Sequence, residues 1–185
     1  MVSPVAGAES PAQYSGLPSD FYEPHWYAAY TSANHEVRVA EQLVRRSVEH
    51  FLPLYESVRR WKDRKVQLRL PLFPGYLFVR LALRDRLQVL QVPGVARLVG
   101  FSGTPKALPQ EEIEALQTSL ASRLRAEPHP YLTAGRRVRV TAGPLAGLQG
   151  ILVKRKNRAR FVVSVELIQR AMAVEIDEAD LEAVR

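Results

Sequence analysis

Residues 71–81 read PLFPGYLFVRL, and the fold turns on this stretch. It is almost wholly apolar, which points to a buried strand. It also places Phe73, Tyr76 and Phe78 around a Pro74–Gly75 pair. Successive side chains of a strand point to opposite faces. Residues 73, 75 and 77 therefore fall on one side, and 76, 78 and 80 on the other. The rings share a surface only if the Pro-Gly pair bends the chain. A strand is predicted over Gly75–Leu83.

Working outward, HWYAAY (25–30) is short, aromatic and strand-like. ANHEVRVAEQLVRRSVEH (33–50) is helical: Val37, Ala40, Val44 and Val48 recur at steps of three and four, with Leu43 beside them. Asn34 is the expected N-cap, with Glu36 in the first turn. FLPLYESVRRW, from Phe51, reads as one strand with an edge or bulge at Pro53, and KVQLRL (65–70) as another. RDRLQVLQV is a short helix stopped by Pro93-Gly94, and VARLVGF a strand. LPQEEIEALQTSLASRL is a helix with Pro109 in its first turn and Ile113, Leu116 and Leu120 on one face. Its early glutamates, Glu111, Glu112 and Glu114, complement the helix dipole.

The order β-α-β-β-β-α-β-α predicts an α+β layer, a mostly antiparallel sheet with helices on one face. Residues 1–22, rich in Pro, Ser, Ala and Gly, are expected to be a disordered tail. The first domain then spans 23–121. A linker over 122–133 is marked by Pro128 and Pro130. In 134–185 the short runs RRVRV, GILVKRK, ARFVVSVEL and MAVEI predict a small, closed or nearly closed β-barrel. Gly143, Gly147 and Gly150 lie between its first strands, where positive φ and close backbone approach are expected.

The 185 residues carry 26 Lys and Arg against 19 Asp and Glu, a formal charge of +7 that favours polyanionic partners. There is no cysteine, no membrane-length apolar run and no signal-peptide pattern, so a cytoplasmic location is expected. His25, His35, His50 and His129 do not adopt metal-ligand spacing, and no nucleophile elbow or phosphate loop is present. No enzyme, metal or cofactor is expected.

Three basic stretches suit nucleic acid or a plain solvated surface. RRWKDRKVQLR (59–69) sits at a predicted hairpin tip, where Arg59, Arg60 and Lys62 can grip phosphates and Trp61 can stack on a base. His35, Arg38 and Gln42 share a face of the first helix. KRKNRAR (154–160) forms a turn between barrel strands.

HWYAAYTSANHEVRVAEQL, LFPGYLFVRL and VPGVARLVGFSGTP together resemble the N-terminal domain of the NusG family of transcription elongation factors. GRRVRVTAGPLAGLQGILV resembles the KOW motif that follows it. The resemblance spans about residues 24–181 in order. LFPGYLFV and VVSVELIQRAMAVEID are most similar to the specialised paralogues of the RfaH, LoaP and UpxY type. The resemblance implies an operon-specialised factor that binds the clamp helices of the RNA polymerase large subunit and raises processivity, the alternatives being housekeeping NusG or a ribosome-associated KOW protein that binds RNA. It assigns the polymerase groove to Trp26, Tyr27, Phe73, Pro74, Gly75, Tyr76 and Phe78. It assigns contact with non-template DNA to the region of Asn34, His35, Arg38 and Gln42. Near Arg86–Val89, where RfaH has a polar His-Thr-Thr for a second polymerase contact, this chain has RLQV. The KOW domain of the family recruits Rho or a ribosomal protein, and here Leu167, Ile168 and Arg170 stand at that place, expected as an exposed Leu-Ile pair. A monomer without membrane contact is expected.

Overall fold

The computed structural model describes residues 19–61, 64–122, 124–132, 135–155 and 158–184. Lys62, the first 18 residues of the tail, and the side chains of Arg59 and Trp61 lie outside the described set.

Strand β1 (His25–Thr31) is central to a four-stranded antiparallel sheet. It pairs with β5 (Tyr76–Leu81) on one side and β6 (Val95–Leu98) on the other, and β2 (Glu49–Phe51) lies beyond β5. Alternation sends Tyr27 and Ala29 to one face with Leu77 and Val79. There they pack on Val39 and Leu43 of α1 (Glu36–Arg45) and Val89 of α2 (Leu87–Leu90). Trp26, Ala28 and Phe78 go to the other face, against Ile113 and Leu116 of α3 (Gln110–Ala121). Helices therefore cover both faces, whereas one was expected. The reason lies in the strands: WYAA and LFV are apolar at consecutive positions, so both faces need cover.

The Pro74–Gly75 pair bends the chain. Tyr76 N–H donates to Phe73 O at 3.0 Å, and Gly75 has φ +83°, the geometry of a type II turn with proline second and glycine third. The turn returns Phe73 to the face of Phe78, and their rings meet edge to face at 6.2 Å. Glu36 holds the turn from outside: its Oε1 accepts the Gly75 N–H at 2.6 Å, and the side chain is buried.

Helix α1 differs from its predicted register. Val37 and Val44 are 48% and 64% exposed, while Glu36, Val39 and Leu43 are buried. The N-cap is His35, and Asn34 instead takes a left-handed φ of 61° just before it. The predicted strand from Phe51 is broken at Leu52-Pro53. Beyond the break, β3 (Leu54–Trp61) and β4 (Arg64–Pro71) form a separate two-stranded hairpin. A second small hairpin, β7 (Gly100–Phe101) and β8 (Thr104–Pro105), continues from β6.

The C-terminal unit is a six-stranded antiparallel barrel-like sheet. In chain order its strands are β9 (Ala126–His129), β10 (Arg136–Val140), β11 (Gln149–Arg155), β12 (Arg158–Val165), β13 (Arg170–Ile176) and β14 (Leu181–Ala183). They are arranged β14-β10-β11-β12-β13-β9. Strand β9 comes from the segment read as linker. Arg160 on β12 bridges to Glu127 on β9 and reaches Glu175 on β13 at 3.9 Å, which ties the added strand in. Gly150 is required by close approach: a Cβ there would stand 2.5 Å from Val162 O and 2.6 Å from the Phe161 ring.

Because Glu36 is a buried charged acceptor for a backbone amide, Glu36→Ala should lower unfolding stability by about 2 kcal/mol, read from the urea midpoint at unchanged slope. Glu36→Gln should cost less.

Candidate functional site

The face of the sheet that packs against α3 carries a continuous run of rings. Phe73 and Phe78 are fully buried, Trp26 nearly so, and Phe51 stacks on Phe78 at 6.1 Å with 22° between planes. Register places Tyr30 opposite both Tyr76 and Arg97. Tyr30 and Tyr76 meet at 5.2 Å, and the Arg97 guanidinium lies 5.0 Å from the Tyr30 ring centre, a cation–π contact. The buried rings thus grade through the half-exposed Tyr76 and Tyr30 to the exposed Arg97. Tyr30 and Arg97 were not among the residues singled out from the sequence. Their signal is cross-strand pairing, which is visible only once the register is known.

Of the predicted groove residues, Trp26, Phe73, Tyr76 and Phe78 share one sheet face, with Phe73, Tyr76 and Phe78 beside the Pro74–Gly75 turn. Tyr27 does not. It points to the opposite face, fully buried against α1 and α2, because neighbours on a strand alternate. Burial, and then the charge of Asp20, pushes its hydroxyl up to about 12.

The ring face is not open. Trp26, Phe73 and Phe78 share one packed cluster with α3 and with barrel residues that include Val165, Ile168 and Met172. Ile168 is buried there and Leu167 packs against the cluster, so the Leu-Ile pair expected to be exposed is covered; Arg170 is exposed.

Glu112, read as a dipole partner, stands at this junction. Its Oε2 is buried without a hydrogen-bond partner among the described residues. Its carboxyl is raised from 4.5 to about 7 by all the causes together, burial being the largest. The charge of Glu166, on the 3-10 turn Glu166–Ile168 of the barrel, is the second cause, a hydrogen bond with the Glu166 backbone opposes it, and Glu111 adds a smaller push.

The nucleic-acid candidates fall in separate places. Around the N-terminus of α1, Asn34 and Arg38 are exposed and His35 and Gln42 half-exposed. His35 Nδ1 lies 2.9 Å from Ala33 O, and Gln42 Nε2 donates to Arg38 O at 3.3 Å and to Pro93 O at 3.4 Å. On the β3–β4 hairpin, register sets Arg60 opposite Lys65 and Glu56 opposite Arg69. Register pairs Arg59 with Val66 and Trp61 with Arg64. Like charges directly across a ladder destabilise it, so the exposed Arg60–Lys65 pair is a place an anion would relieve. In KRKNRAR, residues 156 and 157 are outside the described set, and Arg160 is held by Glu127 and Glu175.

Comparison with known proteins gives one consistent result. The model of the NusG family, described as transcription termination factor nusG, matches residues 24–117. The transcription termination/antitermination protein NusG of Deinococcus radiodurans is 32% identical over 180 residues, covering 82% of this chain and 95% of that protein. The protein of the same name from Treponema pallidum is 30% identical, covering 86% of this chain and 98% of its own length. A solved structure on domain interaction in Thermotoga maritima NusG superimposes with a TM-score of 0.54 at 18% identity, covering 88% of this chain and 98% of that one, a likeness of fold. Among the described residues no helix is long and apolar enough to cross a membrane, and no group of three or more metal-ligating side chains is present.

Filling differences set the expected cost of truncating the rings. Phe78→Ala leaves a cavity in a fully packed cluster and should cost about 3–5 kcal/mol. Tyr76→Ala, at the half-exposed end, should cost less than half of that in the same denaturation experiment.

Proposed function

The chain belongs to the NusG family of transcription termination/antitermination proteins, and on that premise we propose that it binds RNA polymerase through the aromatic face and raises processivity as an operon-specialised factor. The observation that carries the reading is the convergence of Trp26, Phe73 and Phe78 on one sheet face, continued by Tyr76, Tyr30 and Arg97 to the surface. Rings buried against a helix supply large apolar contact at low side-chain entropy cost, which suits the clamp helices as occupant. Specialisation is supported by Leu167 and Ile168 standing where the housekeeping pattern has Phe-Gly-Arg.

The same cluster holds the candidate polymerase residues and the candidate partner residues of the KOW domain. In this reading the barrel must leave the ring face before polymerase takes it, and that departure frees Leu167 and Ile168 for a ribosomal protein or Rho. The hairpin cations and the α1 end, from Asn34 to Gln42, then face the nucleic acid of the transcription bubble.

Two measurements test this. In a binding assay with purified polymerase, Tyr76→Ala should weaken affinity about tenfold with the fold intact, and Leu167→Asp, which loosens the barrel, should strengthen it. No binding by the unaltered chain would refute the reading. For the hairpin, Arg60→Ala with Lys65→Ala should reduce the slope of log affinity against log salt on forked DNA by roughly 1.5.

A further inference from the structure

We propose that Glu112 and Glu166 make the junction between α3 and the barrel a pH-gated latch, docked when Glu112 is protonated and released when it is ionised. This regulation of the ring face rests on the function proposed above.

Two acidic residues come from the two sides of the junction, Glu112 half-buried on α3 and Glu166 exposed on the 3-10 turn of the barrel. Glu112 lies on the first turns of α3, on the side that packs against the barrel, and one of its oxygens is sealed from water without a partner among the described residues. Glu166 begins the 3-10 turn that carries Leu167 and Ile168 into the common cluster. The surrounding elements offer no compensating cation among the described residues. On β12, Arg160 is engaged by Glu127 and Glu175. The 3-10 turn Gly143–Leu145 that also contacts α3 has no titratable residue. On β1, His25 and Tyr27 point to the far face, and Tyr30 lies beneath Arg97. The charges acting on Glu112 are those of Glu166 and of Glu111 on its own helix, opposed in part by a hydrogen bond with the Glu166 backbone.

Docking therefore favours the neutral acid. An ionised Glu112 would hold a partly desolvated charge beside a second one, whereas undocking returns it to water. The docked form binds the proton more tightly than the open form. The penalty on docking is absent below about 4.5, grows as pH rises, and is complete above about 7. The carboxyl is only half-buried, so solvent screening trims the effect to an opening constant that rises on the order of tenfold between pH 5.5 and pH 8.

The chain has no cysteine, so Phe101→Cys on the exposed β7–β8 hairpin and Arg139→Cys on the exposed side of β10 accept a dye pair without competition. Energy transfer between them reads the docked fraction. Transfer should fall as pH rises between about 4.5 and about 7 in this parent. It should stay high across the range in Glu112→Gln, and its midpoint should move lower in Glu166→Gln. A parent profile flat in pH overturns the latch, as does a Glu112→Gln profile that follows the parent. If Glu112→Gln does not fold, the Glu166→Gln midpoint decides: no downward shift overturns the latch. Polymerase binding by the same proteins separates the two ideas. An intact pH profile without binding at any pH sinks the polymerase reading alone, and binding with a flat profile sinks the latch alone.

Discussion

A carboxylate with 3% of its surface exposed accepts the Gly75 amide at 2.6 Å, and the geometry of the N-terminal domain is organised around that bond. Ionised acceptors make the stronger class of hydrogen bond, and a buried one left unmade is costly. The bond pins the first turn of α1 to the turn that opens β5. Helix and strand are thereby fixed in rotation as well as position. With Glu36 facing inward, Val39 and Leu43 follow it three and seven residues later onto the Tyr27 face. With Gly75 at positive φ, Phe73 returns to Phe78 on the opposite face. One contact thus decides which side of the sheet receives helix α1 and which receives the rings.

The legible parts of the fold are those set by short-range chemistry. The aromatic and β-branched runs of β1, β5 and β12 announced strands, Pro109 and the early glutamates announced α3, and Pro-Gly announced the bend. The helix register of α1 was not legible, because valines at 37, 39, 44 and 48 satisfy two stripes. The choice between them is made from outside, by the Gly94 turn against Val39 and His35 and by the bond to Gly75. Strand β9 was hidden by its prolines. Pro128 pairs with Met172 at the edge of the sheet, where a missing N–H is tolerated. Of the rings assigned to the groove, Trp26, Phe73, Tyr76 and Phe78 share one sheet face, and Tyr27 alternates to the other. The ladder of Tyr30 and Arg97 needed a register that sequence alone does not supply.

Charge was harder to read than apolar pattern. The excess of cations suggested three basic surfaces, and pairing makes them unequal. Arg160 is consumed in holding β9, and Arg69 faces Glu56 across the hairpin. Arg60 faces Lys65, so repulsion concentrates near the hairpin end. A count of positive residues measures long-range attraction to a polyanion. It does not identify where a phosphate sits, which depends on which cations lack an acid across the ladder.

Glu112 carries the same lesson to the junction between the domains. At a solvated helix start a glutamate is a mild stabiliser. Packed beneath the barrel with Glu166 nearby, it works against the contact it lies in. A glutamine of the same shape would avoid the repulsion and leave the apolar contacts of Ile113, Leu116 and Ile168 unopposed. A ring face held shut by apolar packing alone would lower the apparent affinity of any partner by the full docked fraction. An opposing carboxylate pair offsets part of that packing, and it does so in a pH range close to neutrality. The junction is thereby kept tight enough to cover the rings and weak enough for a partner of moderate affinity to open.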